Sequence, residues 1–281
     1  MLKRWQFWLG LVVSAVFLYL ALSNLRLPEV WVAVQGADYI WLVPAVLVYG
    51  GAVAARTWRW HYLLRPIKPV PLPTLFPIVV IGYMGNNVYP ARIGELIRSY
   101  VLRQRQRISI SASLATIIVE RIFDGVVMLL FVFVSLPFAP MPDWLRRVVV
   151  LFSLLFFGAL LVFFVIAARP TLSQKVYNWL VDRLVPQRFR EPVRGILDRF
   201  MEGLASLRSG RDVLMVFVTS VFVWLTETVK YWFVMHGFGF SVPFYVLMLM
   251  NGVVNLATTI PSSPGYVGTF DTPGIEVLKA F

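Results

Sequence analysis

Apolar runs long enough to cross a lipid bilayer recur along this 281-residue sequence. The hydrocarbon core is roughly 30 Å thick, so a transmembrane α-helix needs about 17 to 25 residues. Backbone polar groups inside hydrocarbon must bond within the protein, and the runs lack the alternation of barrel strands. The sequence therefore predicts an all-α fold, a polytopic bundle of transmembrane helices. The runs lie at roughly 5–22, 40–58, 109–137, 147–168, 212–235 and 243–260.

Composition supports a single integral membrane domain over 1–281. Hydrophobic residues make up 59% of the chain and charged residues 14%, whereas soluble domains are roughly 45 to 50% apolar. The net charge of +12 comes from short basic stretches between the runs, which indicates membrane topology and no nucleic-acid partner. Without cysteine, and with only His61 and His236 as histidines, we expect no cofactor, no metal site and no catalytic residues.

Basic residues in the connections set the predicted orientation, because they stay on the cytoplasmic side. Lys3 and Arg4 hold the N-terminus in the cytoplasm, and 23–39 then lies outside. We expect a multi-pass protein of the cytoplasmic membrane. The connection after the second run is placed inside by Arg56, Arg59, Arg65 and Lys68.

The long connection 169–211 has nine basic residues against four acidic ones, which places it in the cytoplasm. It predicts amphipathic helices lying on the inner leaflet. Basic residues near that surface attract anionic headgroups, so anionic lipid is the expected partner. The sequence leaves the oligomeric state open.

The segment from Pro71 to Pro90 breaks the simple alternation of crossings. A full crossing would put five arginines outside, against the charge rule. A re-entrant or broken helix returning to the cytoplasm resolves this conflict, and several prolines and glycines supply the break. The five arginines are Arg92, Arg98, Arg103, Arg105 and Arg107.

A second broken segment is predicted at 243–271. Its ending NLATTIPSSPGYVGTFD parallels NNVYPARIGE in the first segment, with Asn, Pro, Gly and an acid in the same order. One segment starts inside and the other outside, which is the arrangement of an inverted-topology repeat in transporters. After 271 the chain enters what we interpret as another helix.

Three charged residues lie at the centre of the run 109–137. On a helix, Glu120 and Asp124 share a face with Ser113 and Thr116, and Arg121 lies at its edge. Three central charges cost roughly 8 to 10 kcal/mol to insert. They form either a buried ion-pair network that holds helices together or the wall of a polar cavity for a charged substrate.

Two further charges, Glu227 and Lys230, lie three residues apart in the run 212–235. They either neutralise each other within the helix, or Lys230 reaches Glu120, Asp124 or a lipid phosphate.

The first broken segment holds the densest polar cluster. Asn86 and Asn87 offer amide donors at the break, while Arg92 and Arg98 carry forked donors suited to phosphate. Glu95, three residues from each arginine, is predicted to hold both. The alternative is an ordinary basic cytoplasmic helix.

Three blocks resemble the signatures of the lysylphosphatidylglycerol synthase transmembrane-region family, also called the flippase-like domain. They are NNVYPARIGELIRSYVL, IIVERIFDGVVMLL and IPSSPGYVGTFD, and the resemblance covers nearly the whole chain. It extends to the membrane half of the bacterial multiple peptide resistance factor. The matching residues are Asn87, Pro90, Arg92, Gly94, Glu95, Arg98, Glu120, Arg121, Asp124, Pro264, Gly265 and Gly268.

The blocks also show three departures from that family. Tyr89 and Ala91 stand where Leu and Gly are common, and Asp271 replaces a closing Glu. These weaken the substrate assignment. We also see no soluble aminoacyl-transferase half, and therefore expect no synthesis of lysyl lipid.

The resemblance implies a lipid translocase that moves an anionic or aminoacylated phospholipid, or a lipid-linked intermediate, between leaflets. Alternatives are a non-transporting partner or anchor of a lipid-modifying enzyme, and an intramembrane enzyme acting on lipid phosphates or glycolipids. The predicted substrate-binding set is Asn86, Asn87, Arg92, Glu95, Arg98, Glu120, Arg121, Asp124, Glu227, Lys230, Pro264, Gly265, Gly268 and Asp271.

Overall fold

Helices account for the architecture of this protein. A computed structural model describes residues 27–89, 92–138, 169–258 and 270–281, with scattered positions between 151 and 165, and these residues contain no strand. The predicted all-α class is confirmed. The helices are α1 Leu27–Gln35, α2 Leu42–Leu64, α3 Leu72–Val88, α4 Ile93–Gln106, α5 Ile110–Ser135, α6 Pro170–Leu184, α7 Gln187–Gly203, α8 Gly210–Gly237, α9 Phe244–Ala257 and α10 Asp271–Lys279.

Two described helical stretches are long and apolar enough to cross a membrane, Tyr39–Leu64 and Gly210–Gly237. At 1.5 Å per residue the 28 residues of α8 extend about 42 Å, more than the hydrocarbon thickness. Helix α5 has 26 residues and carries the three central charges. Each of the predicted runs at 40–58, 109–137, 212–235 and 243–260 contains a helix, α2, α5, α8 and α9, whereas 5–22 and most of 147–168 lie outside the described residues.

Helix α2 ends later than predicted, and this corrects one charge assignment. It continues to Leu64, so Arg56 and Arg59 lie within the helix and not in the basic connection. Both are buried, while Arg65 and Lys68 follow the helix and are exposed. Charge density along the sequence suggested a loop, but the aromatic and leucine residues after Arg59 continue the packed helix.

The long helices pack around a common core. Helix α2 packs along α8, and α5 contacts α4, α7, α8 and α9. Trp60, Leu64, Leu75, Leu102 and Val119 come together in one fully buried cluster. This packing brings the polar faces of α2, α4, α5 and α8 to one place.

Helices α3 and α4 form a hairpin, and α3 ends within the predicted segment Pro71–Pro90. Helix α3 ends at Val88, and Arg92 has a left-handed backbone, φ 55° and ψ 33°, just before α4. A Cβ on Gly94 would lie 2.0 Å from the carbonyl oxygen of Gly82, so only glycine permits this backbone contact. That the hairpin enters and leaves the membrane on one side stays a prediction.

Helices α9 and α10 form a second pair of neighbouring helices. Helix α9 ends at Ala257 and α10 begins at Asp271, and the two pack together through Met250, Val254 and Leu278. The predicted helix after 271 is confirmed, and the inverted repeat stays a prediction. Pro264, Gly265 and Gly268 lie outside the described residues.

The connection 169–211 contains two helices, α6 and α7, as predicted. Their outer surface exposes Leu172, Val176, Trp179 and Phe189 among charged residues, an amphipathic character. A Cβ on Gly203 would lie 2.3 Å from the carbonyl oxygen of Ala112, so α7 contacts the start of α5 at its backbone. Their location on the inner leaflet stays a prediction.

Candidate functional site

Arg59 of α2 is the central cation of the site. It is 1% exposed, and its Nη1 donates to Asp124 Oδ1 at 2.5 Å and to Ser220 Oγ at 2.9 Å. Trp224 Nε1 donates to the same Asp124 oxygen at 2.7 Å. These contacts join α2, α5 and α8 through one buried carboxylate. A buried charge is tolerated only when it is paired and hydrogen-bonded.

A second buried pair joins α4 to α5. Arg98 Nη2 donates to Glu120 Oε2 at 2.6 Å, and the Arg98 guanidinium lies 4.3 Å from the centre of the Trp60 ring. Trp60 in turn donates to Thr116 at 3.0 Å. Glu120 Oε1 lies 3.9 Å from Arg59 Nε, so the two pairs form one network.

The predicted polar stripe on α5 is confirmed as a buried face. Ser113, Thr116, Glu120 and Asp124 are all buried. Ser113 donates to Ser99 of α4 at 3.1 Å, and the other three contact α2, α4 or α8 as described above. The stripe therefore faces neighbouring helices along its length.

Glu227 of α8 lies between two cations. Lys230 Nζ donates to Glu227 Oε2 at 2.5 Å, which confirms the predicted neutralisation within the helix. Arg56 Nη2 lies 2.6 Å from Glu227 Oε1, a partner that the sequence interpretation missed. Of the two options for Lys230, the structure therefore favours Glu227 over Glu120 and Asp124.

Glu95 and Arg121 form a more accessible edge of the network. Arg121 Nε lies 3.4 Å from Glu95 Oε1, and Arg121 Nη1 lies 3.2 Å from Asp124 Oδ2. Arg92 Nη1 is 3.8 Å from Glu95. The prediction that Glu95 holds both arginines of its block is right for Arg92 and wrong for Arg98, because buried Glu120 takes Arg98.

The two broken segments meet at Arg92. Its Nη2 donates to the backbone oxygen of Thr258 at 2.8 Å, at the end of α9. Nearby on α9, Asn255 donates to Asn251 Oδ1 at 2.7 Å, and Asn251 donates to Thr228 Oγ1 of α8 at 2.9 Å. The sequence interpretation used Asn255 only in the parallel between the two segments and missed Asn251, although an amide within an apolar run was a signal for it.

A small cleft opens between the first hairpin and α5. Tyr83, Asn86, Glu95 and Arg121 line it, with Arg98 behind them. Asn86 Oδ1 is buried and has no hydrogen-bond partner in the described part of the chain. Of the other predicted residues, Asn87 is exposed, and Asp271 is exposed at the start of α10.

The network carries an excess of positive charge. Among the described residues that make these ion pairs, six cations face four carboxylates, which gives this set a formal charge of +2. The side chains of Arg121, Arg92 and Lys230 are 33%, 22% and 21% exposed, so they are the cations that a ligand can reach. The cations are Arg56, Arg59, Arg92, Arg98, Arg121 and Lys230, and the carboxylates are Glu95, Glu120, Asp124 and Glu227.

This fold and network define a multi-pass helical membrane protein with a charged site among its helices. The chain belongs to the lysylphosphatidylglycerol synthase transmembrane-region family, whose sequence model matches residues 7–281. The family assignment made from the three sequence blocks is confirmed.

The chain also resembles several archaeal proteins. A UPF0104 membrane protein of Methanothermobacter thermautotrophicus is 22% identical, covering 95% of this chain and 83% of that protein. A UPF0104 membrane protein of Methanocaldococcus jannaschii is 19% identical, covering 96% and 84%. Glycosyltransferase AglD of Haloferax volcanii is 25% identical, covering 93% of this chain but 47% of AglD. No solved structure matches the chain.

Proposed function

We propose that the protein is a lipid translocase that moves an anionic or aminoacylated phospholipid, or a lipid-linked intermediate, between the two leaflets. The observation that carries this proposal is the network with two positive charges in excess, buried among helices of a membrane protein. Ionisable groups at membrane depth usually line pathways for charged substrates. A lipid phosphate would supply the missing negative charge.

Arg121 and Arg92 are the groups we assign to the headgroup. Both are partly exposed and share Glu95 at 3.4 and 3.8 Å, longer than the buried pairs. A phosphate oxygen could replace Glu95 at these forked donors, because guanidinium binds phosphate through two parallel hydrogen bonds. Asn86 lies in the same cleft, and its amide N–H donors suit a phosphate or a glycerol hydroxyl.

The tightly buried pairs have a supporting role in this proposal. Arg59–Asp124 and Arg98–Glu120 hold α2, α4, α5 and α8 together at 2.5 and 2.6 Å. The two hairpins touch through Arg92 and Thr258. Separation of the hairpins would open the site, and rocking of the two halves would expose it to each leaflet in turn.

The proposal includes a location and a reaction class. We place the protein in the cytoplasmic membrane with a cytoplasmic N-terminus, and we assign it transport without catalysis. Its partners are then membrane lipids with anionic headgroups.

Purified protein in liposomes tests the proposal directly. Transbilayer movement of fluorescent phosphatidylglycerol, aminoacylated phosphatidylglycerol and a lipid-linked sugar would be measured with and without protein. We expect acceleration of at least one of them, and a loss of about tenfold or more in Arg121→Gln. The matched control is Arg183→Gln, which removes an exposed arginine from α6. Failure of every lipid would overturn the proposal.

One observation favours a second candidate, a membrane partner or anchor of a lipid-modifying enzyme. The chain resembles a protein named as a glycosyltransferase and covers less than half of its length. In this candidate the network binds lipid and presents it to a separate transferase. Lipid binding and co-purification with a transferase, without transport in liposomes, would support it over the translocase.

A further inference from the structure

A second polar cleft lies apart from the charged network, at the ends of the helices that the charge rule places in the cytoplasm. It opens beside the connection between α4 and α5, where α7 packs on the start of α5, and has a volume of about 970 Å³. We call it the arginine cleft. Its defining residues are Arg103, Arg107, Arg199, Ile110, Leu114 and Ile196.

Among the described residues, none of the three arginines of the cleft has an acidic partner. No described carboxylate lines the cleft or forms a described ion pair with Arg103, Arg107 or Arg199. The acid next to Arg199, Asp198, instead accepts a hydrogen bond from Tyr177.

Two other arginines of α7 have acidic partners. Arg194 of α7 lies 2.5 Å from Asp182 and 2.7 Å from Glu191, and Arg190 lies 3.6 Å from Asp182. Acidic residues are therefore available on this face and neutralise neighbouring arginines. The arginine cleft concentrates charge that the protein leaves unneutralised.

The inner wall of the cleft is apolar. Ile110 and Leu114 lie in the first turns of α5, and Ile196 faces them from α7. Because α5 continues towards the buried Glu120, this wall leads from the cytoplasmic end of the helix in the direction of the bilayer. A ligand that suits the cleft has a negatively charged group attached to an apolar body.

We propose that the arginine cleft binds the phosphate of an anionic phospholipid from the inner leaflet, with its acyl chains along Leu114 and Ile196. Arginine forks suit phosphate oxygens, and the apolar wall favours a lipid over soluble phosphate. The inference goes beyond the proposed translocase, because the cleft would bind lipid equally in a protein that transports nothing.

Photo-crosslinking in vesicles tests this proposal. The full chain is reconstituted in phosphatidylcholine containing a trace of photoactivatable phosphatidylglycerol, and the labelled peptides are mapped by mass spectrometry. We expect labelling within 103–114 and 196–199. The triple variant Arg103→Gln/Arg107→Gln/Arg199→Gln should lower it by about tenfold or more. The control Arg183→Gln/Arg188→Gln/Arg211→Gln removes the same charge from exposed positions outside the cleft and should retain it.

Two further arms identify the ligand. A photoactivatable phosphatidylcholine should label these peptides weakly, and excess inorganic phosphate should not displace phosphatidylglycerol. Equal labelling by both lipids, displacement by phosphate alone, or full labelling of the triple variant would each overturn the proposal. If the triple variant does not purify folded, Arg107→Gln alone should still reduce labelling. Since no transport is measured, failure here leaves the translocase proposal untouched.

Discussion

Arg59 and Asp124, 65 residues apart in the chain, form a 2.5 Å ion pair that joins α2 to α5 with almost no exposure to solvent. Ser220 and Trp224 of α8 bond to the same pair. This ion pair, whose two charges cancel, therefore connects three helices. Removing Arg59 leaves Asp124 with only the more exposed Arg121, at 3.2 Å, as a cation, whereas removing both charges of the pair leaves no carboxylate without its buried partner.

The first prediction concerns stability at this pair. Arg59→Met should destabilise the protein by about 3 to 5 kcal/mol because Asp124 loses its buried partner. The double variant Arg59→Met/Asp124→Leu should recover much of that loss. Thermal unfolding in detergent micelles measures both. Arg65→Met, at an exposed position directly after the end of α2, is the control and should change stability by less than about 0.5 kcal/mol. A double variant as unstable as the summed single variants would contradict the pairing.

The second prediction concerns the contact between the two hairpins. The chain has no cysteine, so Arg92→Cys/Thr258→Cys introduces the only thiols. Because Arg92→Cys also removes one of the two arginines assigned to the headgroup, the uncrosslinked variant should transport more slowly than the wild type, through Arg121, and its own rate is the reference. Bridging the two thiols with a reducible crosslinker should stop lipid movement if the hairpins must separate, and reduction should restore the rate found before crosslinking.

Lys68→Cys/Gln106→Cys gives the matched control. Lys68 Nζ donates to the Gln106 carbonyl oxygen at 3.0 Å, so this pair is also close but lies away from the hairpin tips. Its crosslink should leave transport unchanged. Transport that continues through a complete Arg92–Thr258 crosslink would rule out separation at this contact.

The third prediction concerns the glycines of the first hairpin. Gly94→Ala should lower the thermal unfolding temperature, because its Cβ would lie 2.0 Å from the Gly82 carbonyl oxygen and 2.5 Å from the backbone nitrogen of Asn86. Gly50→Ala in α2 meets nothing within 4 Å and should be neutral or stabilising by up to about 1 kcal/mol. Equal unfolding temperatures for the two variants would argue against the close packing of α3 on α4.

The fourth prediction concerns topology. Single-cysteine variants can be labelled in intact cells with a membrane-impermeant thiol reagent. Ser241→Cys should react from outside, whereas Arg188→Cys should react only after permeabilisation. If the first hairpin is re-entrant, Arg105→Cys should behave like Arg188→Cys. All three positions are exposed, so folding should not hide the thiols. Labelling of Arg105→Cys in intact cells would mean that the segment crosses the membrane.

The local pattern of apolar and polar residues was sufficient to predict much of the fold. The apolar lengths predicted helices α2, α5, α8 and α9, because helix formation in hydrocarbon depends on local backbone bonding. The period of 3.6 residues placed Ser113, Thr116, Glu120 and Asp124 on one face, and that face is buried. Helix α3 ends at Val88, shortly before Pro90, which is one of the several prolines and glycines expected to break this segment.

Partners of the charges depended on packing between distant helices. Arg59 and Arg56 looked like loop residues, since a charge at the end of an apolar run resembles a topogenic signal. Both are helix residues, because α2 continues past them and packs against α5 and α8. There Arg59 pairs with Asp124 and Arg56 pairs with Glu227. Likewise, the spacing of Glu95 and Arg98 favoured a local pair. Arg98 instead pairs with Glu120 at 2.6 Å, where both side chains are buried. Which charges pair depends on their distance in the folded protein and on how far they are removed from water. The separation of two residues along the sequence gives neither quantity.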